Sequence, residues 1–375
     1  MRLSAFALSC LIAAAACERN ADVTAPEPAA DMVVAEAPAS DELPGLPAVA
    51  TGIAFWDHPT LSFNSTMIVA TPNAIVSYSM EDGNEIARID GFNAAGVATS
   101  YLGFGSSAAG FIAFFDTDEN EIKFYGIDNN SRAFLPLDSG PVIRGAVRGF
   151  CLGRGADAPA PSLFVVQKGV VQVFNLAASA SGVSVESEAA INTPDNLVSC
   201  AVGVDGALYA ASDNGKLYKV TGGDSFASPF ASTLAGAGGV LGIVISASED
   251  DPAVISSDLV VADTSTGVVQ FFDGANGASL GAVRITATDD LPGVEKADVF
   301  GVTGGNLGGL YRNGVAAFGI ADGADGPVIR LAPTSSLKNA LQLPVGEPVS
   351  PRGEAPAEKS DTLIIPIELH TGEPE

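Results

Sequence analysis

Short runs of alternating apolar residues, each followed by a polar turn and a second apolar run, recur six times along the chain. The first runs begin at Met67, Ile112, Leu163, Leu208, Leu259 and Leu310. Successive starts are therefore 45, 51, 45, 51 and 51 residues apart. A period of this length, with turn residues at the same phase, is typical of a β-propeller with four-stranded blades.

The turn chemistry supports hairpins within each repeat. Asn214-Gly215 separates two alternating runs, and the polar loop 263–267 does the same in a later repeat. Asn-Gly between such runs is a strong short-range signal for a β-hairpin. Residues 51–333 show no sustained 3.6-residue periodicity, so few helices are expected. We predict an all-β domain over 48–335: a six-bladed β-propeller with four-stranded antiparallel blades.

The N-terminus has the pattern of an export signal. Arg2 precedes an apolar stretch over 3–16, and the small residues 14–16 lead to Cys17. This segment, 1–17, resembles a bacterial lipoprotein signal in which Cys17 receives the lipid, although Ala14 stands where leucine is usual. A plain secretory signal is the alternative. Either way we expect an exported protein, and the lipid would make it a cell-envelope lipoprotein, periplasmic or outer-membrane anchored.

The segments that flank the predicted propeller have a different composition. Residues 18–47 are rich in Ala, Pro and acidic residues, and we expect a disordered tether between membrane and propeller. Residues 336–375 form a Pro- and Glu-rich tail. Within this tail, 362–369 is a candidate strand, which Pro366 would restrict to a sheet edge.

The charge of the chain excludes one class of partner. Its 44 acidic and 18 basic residues give a net charge of −26, which argues against binding to nucleic acid. Two interpretations of the acidity stay open: solubility of an exported protein, or carboxylates that hold calcium and so attract an anionic substrate. The acidic run 116–121 resembles the start of a calcium loop, but it lacks the Gly at the sixth position and the distal Glu, so a solvated hairpin turn is the favoured interpretation and a single calcium ion the alternative.

The cysteines and histidines allow few metal or redox sites. After the signal, Cys151 and Cys200 remain, in consecutive repeats; they either form a disulfide or stay as buried thiols. With His58 and His370 as the two histidines, no zinc pattern exists. We expect Trp56 to pack in the core and His58 to fix a loop.

An ordered set of segments resembles the β-propeller phytases. These segments are 52–59 (GIAFWDHP), 65–71, 83–85, 148–154 (RGFCLGR), 164–168 (FVVQK), 197–205 (LVSCAVGVD), 239–244 and 293–298. They cover residues 50–335 in the family's order. The resemblance implies calcium-dependent hydrolysis of phosphate monoesters of phytate at a channel mouth. It further implies that Lys168 binds phosphate, that Asp298 serves catalysis as a calcium ligand, and that Glu295 and Asp213 are further calcium ligands.

The chain departs from the family at several expected calcium ligands. Thr51-Gly52 replace an Asp pair, Val198 or Ser199 replaces a Glu, and Gly239 and Leu241 replace an Asp and a Glu. Because leucine cannot coordinate calcium, we expect weak phytase activity or none. If active, the chain would be a 3-phytase-type phosphomonoesterase that uses calcium. The alternative is a non-enzymatic cell-surface binding or assembly module with a protein partner.

Overall fold

The computed structural model describes residues 33–137, 140–155, 158–179, 182–220, 226, 229–233, 239–324 and 326–353. The predicted lipidation site Cys17, the first half of the predicted tether (18–32) and the candidate strand 362–369 lie outside these residues. No helix within the described part of the chain is long and apolar enough to cross a membrane.

Six antiparallel sheets form the body of the molecule, preceded by β1 (Val34–Pro38) and β2 (Asp41–Leu43). Blade 1 contains β3 (Gly52–Trp56), β4 (Thr66–Thr71), β5 (Ala74–Ser79) and β6 (Glu85–Asp90). Blade 2 contains β7 (Ala94–Leu102), β8 (Ala109–Asp116), β9 (Glu121–Ile127) and β10 (Phe134–Pro136). Blade 3 contains β11 (Gly149–Gly153), β12 (Ser162–Gln167), β13 (Val170–Ser179) and β14 (Gly182–Asn192).

The remaining blades follow the same pattern. Blade 4 contains β15 (Leu197–Val202), β16 (Leu208–Ser212), β17 (Lys216–Val220) and β18 (Ala231–Ser232). Blade 5 contains β19 (Val240–Ala247), β20 (Ile255–Ala262), β21 (Val268–Asp273) and β22 (Ser279–Thr286). Blade 6 contains β23 (Val299–Thr303), β24 (Val315–Gly323) and β25 (Gly326–Pro333), with β2 as its fourth strand. The predicted six-bladed, four-stranded β-propeller is confirmed.

The first strand of each blade lines a central channel. The inner strands β3, β7, β11, β15, β19 and β23 contact one another in a closed ring. All six run in the same direction along the channel, because each blade repeats the same antiparallel order. We call the end of the channel at which they begin the N-mouth and the end at which they finish the C-mouth. Turns between second and third strands therefore lie at the N-mouth, and loops between first and second strands lie at the C-mouth.

The blades pack through apolar faces of their strands. Trp56 and Ile68 of blade 1 share one buried cluster with Tyr101 and Phe114 of blade 2. Full burial of such side chains stabilises the fold by about 1.5–3 kcal/mol each. Inner strands also need close approach: a Cβ on Gly52 would lie 2.5 Å from the backbone nitrogen of Val97. Trp56 is thus a core residue, as predicted.

The N-terminal strands close the ring, which corrects the predicted tether boundary at residue 47. Strand β2 pairs antiparallel with β25, and β1 pairs parallel with the outer strand β22. Glu42 forms an ion pair of 3.0 Å with the buried Arg330 of β25. The acidic, Ala-rich composition predicted disorder because it contains few large apolar residues. Order comes instead from backbone hydrogen bonds to the edges of two existing sheets.

The tail that follows the predicted propeller boundary at residue 335 packs on the propeller. Helix α1 (Thr334–Ala340) buries Leu337 and Lys338, and β26 (Glu347–Pro348) pairs with the end of β19. The chain remains packed on the C-mouth as far as residue 353. The composition of this tail predicts no core, but here too the propeller supplies the partners.

The sixth hairpin was misplaced by several residues. Leu310, the predicted start of its first strand, lies in a 3₁₀ turn, Gly309–Tyr311, and the strand begins at Val315. Positive φ angles at Gly308, Gly309 and Gly314 turn the chain there, because glycine adopts this conformation without steric cost. Other 3₁₀ turns are Ser62–Asn64 and Gly105–Ser107, likewise in C-mouth loops.

Candidate functional site

The residues that the phytase resemblance singled out all lie at the N-mouth, but on three different blades. Lys168 is exposed in the turn between β12 and β13, and Asp213 is in the turn between β16 and β17. Glu295 and Asp298 precede β23 in blade 6. The structure therefore places all four residues on the same face of the propeller. Their side chains belong to blades 3, 4 and 6 and do not form one site.

The carboxylates of Asp298 and Asp213 each interact with neighbouring residues of the protein. Asp298 accepts a hydrogen bond of 2.8 Å from the backbone N–H of Ala321 and lies 3.2 Å from the ammonium of Lys296. Asp213 lies 3.7 Å from the guanidinium of Arg148. Among the residues that the structure describes, no group of three or more His, Cys, Asp or Glu side chains is close enough to hold a metal ion.

The acidic run 116–121 is the turn between β8 and β9, as one of its two interpretations had it. Its charges are compensated locally. The ammonium of Lys123 binds the carboxylates of Glu119 and Glu121, and Asn93 donates a 3.0 Å hydrogen bond to Asp118. Lys123 and Asn93 thus already engage three of the carboxylates in this turn.

A disulfide joins two inner strands. Cys151 of β11 and Cys200 of β15 have an S–S distance of 2.10 Å and a Cα–Cα distance of 5.7 Å. Both residues line the central channel. Of the alternatives that the sequence left open, the structure contains the disulfide.

The C-mouth is crossed by the C-terminal segment 346–353, which we call the strap. At blade 5, β26 pairs with Ser246 and Ala247 at the end of β19. At blade 2, the backbone N–H of Gly105 donates a 3.1 Å hydrogen bond to the carbonyl of Gly353. Blades 2 and 5 are opposite in a ring of six, so the strap spans the diameter of the mouth.

Arg352 fastens the strap to blades 1 and 2. The side chain is 2% exposed. Its guanidinium donates to the backbone carbonyl of Asp57, at 3.2 and 2.8 Å, and to that of Ala108. It also lies 4.4 Å from the ring centre of Tyr101 and 5.6 Å from that of Trp56. Hydrogen bonds from a charged donor and cation–π contacts are both strengthened in a desolvated site.

Arg154 holds the strap from the other side. Its guanidinium donates to the carbonyl of Gly103 in blade 2 and to that of Arg352 in the strap. It lies 4.9 Å from the ring centre of Phe104. At the opposite end, the buried Lys338 forms a 2.7 Å ion pair with Asp258, which fixes the start of the segment. Three cationic side chains thus hold the C-terminal segment in place.

Beneath the strap lies a cavity of about 290 Å³, lined by residues of all six inner strands and by Pro351. Asp57 stands at its C-mouth end and is 7% exposed. The backbone N–H of Asp57 donates a hydrogen bond to the Tyr101 hydroxyl, and its carbonyl accepts hydrogen bonds from Arg352. The Asp57 carboxylate accepts no hydrogen bond among the described residues. Burial raises the pKa of Asp57 to about 7, and the charge of Arg352 offsets only part of this rise.

Next to the strap, two loops expose large apolar side chains. Leu61 and Phe63 of blade 1 are 43% and 49% exposed, and Leu310 of blade 6 is 61% exposed. The loops touch, since a Cβ on Gly308 would lie 2.9 Å from the Cα of Phe63. We call Leu61, Phe63 and Leu310 the apolar rim.

The loops that carry the apolar rim are ordered. His58 accepts hydrogen bonds at Nδ1 from the backbone N–H groups of Thr60 and Leu61, at 3.2 and 3.0 Å. The N–H of Leu307 donates to the carbonyl of the buried Tyr311 at 3.2 Å. His58 therefore fixes its loop, as predicted, and the exposed side chains project from fixed backbone.

Sequence reasoning missed the C-mouth site. Asp57 lies within the segment 52–59 that carried the family resemblance, so a signal for it existed. Arg352 stands in a Pro-rich stretch with no periodic pattern, and Arg154 was noted only as part of a matching segment. Their common role depends on contacts across about 200 residues of chain, which no local pattern encodes.

Comparisons with known proteins do not assign the chain to a family. No protein-family model matches the chain, and no curated protein matches its sequence. Among solved structures it is similar to Kluyveromyces lactis Hsv2 with complete loop 6CD, at 13% identity over 72% of this chain and 70% of that chain, with a TM-score of 0.35. For Kluyveromyces marxianus Hsv2 the values are 10%, 72%, 69% and 0.38. The six-bladed propeller is established by the sheet topology described above.

Proposed function

We propose that this chain is an exported, lipid-anchored β-propeller that serves as a non-enzymatic binding module of the cell envelope. Its docking surface for a protein partner is the apolar rim at the C-mouth. The observation that carries this proposal is the exposure of Leu61, Phe63 and Leu310 on fixed loops of two adjoining blades. Contiguous apolar side chains that stay in water on ordered backbone are typical of protein interaction sites.

The chemistry of the rim indicates the kind of partner. Each rim side chain is about half buried already, so full burial would contribute about 1 kcal/mol more per side chain, and the partner should supply a complementary apolar patch. The net charge of −26 favours a partner with a positive surface around that patch, because long-range attraction speeds the encounter.

The placement of the expected phytase residues supports a module over an enzyme. Calcium-assisted phosphate hydrolysis needs several carboxylates around one point. Here Asp213 and Asp298 belong to different blades and are engaged with Arg148 and Lys296.

Phosphate release from phytate by the purified full chain, across a calcium titration, tests the enzymatic alternative. We expect no release above the protein-free blank at any calcium concentration. Calcium-dependent turnover that is abolished by Lys168→Ala or Asp298→Ala would overturn the non-enzymatic assignment.

Site-specific photo-crosslinking in cells tests the docking surface. A photoreactive phenylalanine analogue at Phe63 should give a covalent adduct with one envelope protein, and Leu310→Ser should abolish that adduct. The same analogue at Val142, which is exposed outside the rim, is the matched control and should give none. No adduct at Phe63, or equal adducts at both positions, would remove the apolar rim as the docking surface. Fractionation of Cys17→Ser tests the anchor: we expect release from the membrane fraction.

A further inference from the structure

The cavity beneath the strap combines an apolar wall with a polar end. The wall consists mainly of apolar residues of the inner strands: Ile53, Phe55, Val97, Phe150, Leu152, Val202, Ile243 and Val302. Polar groups gather at the C-mouth end, where Asp57, Tyr101 and Arg154 line the cavity. This arrangement of an apolar body with a few polar groups at one end is typical of sites for small organic ligands.

Most polar groups near this end already have partners. Thr99 donates a 2.6 Å hydrogen bond to the carbonyl of Phe55, and the hydroxyl oxygen of Tyr101 accepts one of 2.8 Å from the N–H of Asp57. The guanidinium of Arg154 donates to backbone carbonyls. The carboxylate of Asp57 differs, because it is buried and accepts no hydrogen bond among the described residues. A buried, unpartnered polar group is costly, and in a folded protein it often marks a ligand position.

The position of Asp57 is built into the fold. A Cβ on Gly305 would lie 2.3 Å from Oδ2 of Asp57, so glycine at this position leaves room for the carboxylate. On the other side, Arg352 donates its hydrogen bonds to the backbone carbonyl of Asp57. The carboxylate is thus held in place at the cavity without being neutralised by an ion pair.

We propose that the channel beneath the strap is a binding site for a small organic ligand that carries a primary ammonium group on a compact apolar body, with Asp57 as the anchor. An ammonium group donates up to three hydrogen bonds and compensates the buried negative charge. The apolar body fills the space between the inner strands. This site is separate from the apolar rim and does not depend on the proposed docking function.

Isothermal titration of the purified full chain with cyclohexylamine at pH 8 tests the proposal. We expect saturable binding that Asp57→Asn weakens at least tenfold. Cyclohexanol, which has the same body but a neutral head, should bind at least tenfold more weakly than the amine. Binding of the amine at pH 6 should be about tenfold weaker than at pH 8, because Asp57 becomes protonated below its pKa of about 7.

Two further variants test separately whether amine binding needs the open cavity and whether it needs the carboxylate of Asp57 in particular. Ala98→Leu places a larger side chain on the cavity wall and should weaken amine binding while Asp57 stays intact. It also decides the matter if Asp57→Asn fails to fold. Asp298→Asn removes a carboxylate at the N-mouth, outside the cavity, and should bind the amine as the unmodified chain does. No saturable binding, equal binding of amine and alcohol, or undiminished binding by folded Asp57→Asn or by Ala98→Leu would each overturn the proposal.

Discussion

The two mouths of the channel use charge in opposite ways. At the N-mouth, charged residues such as Lys296 and Asp298 pair with neighbours on the same segment and remain in contact with water. At the C-mouth, Arg352 and Lys338 are buried and join parts of the chain far apart in sequence. Exposed pairs contribute little to stability, whereas removal of one partner from a buried network is strongly destabilising. Charged residues therefore keep the N-mouth surface in contact with water, whereas at the C-mouth they hold the C-terminal segment on the propeller.

This contrast also separates binding surfaces. The N-mouth presents the residues that a phytase-like site would use, but distributed over blades 3, 4 and 6. The C-mouth presents a closed strap, an apolar rim and a cavity with a buried carboxylate. The acidic composition left open a calcium site on clustered carboxylates, whereas the carboxyl group whose pKa burial raises to about 7 is that of Asp57 at the C-mouth.

The largest expected effect concerns the disulfide between the two mouths. Replacement of both Cys151 and Cys200 by serine should lower the free energy of unfolding by about 4 kcal/mol, because the crosslink closes a 49-residue separation in the unfolded chain. Denaturant unfolding measures this, and the unmodified chain under reducing conditions is the control. A loss below about 1 kcal/mol would mean that the ring itself, and not the crosslink, keeps blades 3 and 4 together.

Paired substitutions test the difference between the mouths directly. Arg352→Ala should destabilise the fold by about 3 kcal/mol, because carbonyls of Asp57 and Ala108 lose a charged donor. Lys168→Ala at the N-mouth should change stability by less than about 0.5 kcal/mol. Urea unfolding of both variants gives the comparison. Equal effects would show that the strap is not held by Arg352.

The pH dependence of stability should also differ between the mouths. The raised pKa of Asp57 means that the folded state holds its proton more tightly than the unfolded state, so stability is lost as pH rises from about 4 to about 7. Asp57→Asn should therefore remove about 2.5 kcal/mol of the decline in stability between pH 5 and pH 8.

A carboxylate at the N-mouth provides the control. A hydrogen bond from the Tyr218 hydroxyl lowers the pKa of Asp195, so this group stays ionised across the same window. Asp195→Asn should shift the stability curve without changing its slope between pH 5 and pH 8. If thermal melts of Asp57→Asn retain the full slope, the carboxylate is compensated by a partner within the channel.

The smallest effect is expected for an exposed ion pair. Lys296→Ala, which removes the partner of Asp298, should change the free energy of unfolding by less than about 0.5 kcal/mol. Thermal melts at low and high salt measure this. A loss above about 1 kcal/mol would indicate that the N-mouth contributes to stability as the C-mouth does.

Local patterns predicted the blades well and the chain ends poorly. The runs from Met67 and Leu163 correspond to strands in the structure, and Asn214-Gly215 lies in the turn between β16 and β17. The sixth run failed at Leu310, because three nearby glycines with positive φ make a loop out of an apolar segment. The order of the segment 34–43 and the path of the strap were not predicted, because both depend on partners that are distant in sequence.

The sequence by itself determined the repeat, and with it the six blades and the channel. Alternating apolar residues and turn chemistry act within a few residues, so they are legible without a structure. Only the tertiary structure decided which strands close the ring, which segment covers the C-mouth and that the Asp57 carboxylate is buried without a hydrogen-bond donor among the described residues. Those features depend on contacts such as Arg352 with Asp57, 295 residues apart. Burial and hydrogen-bond satisfaction are properties of the folded ring, and composition does not record them.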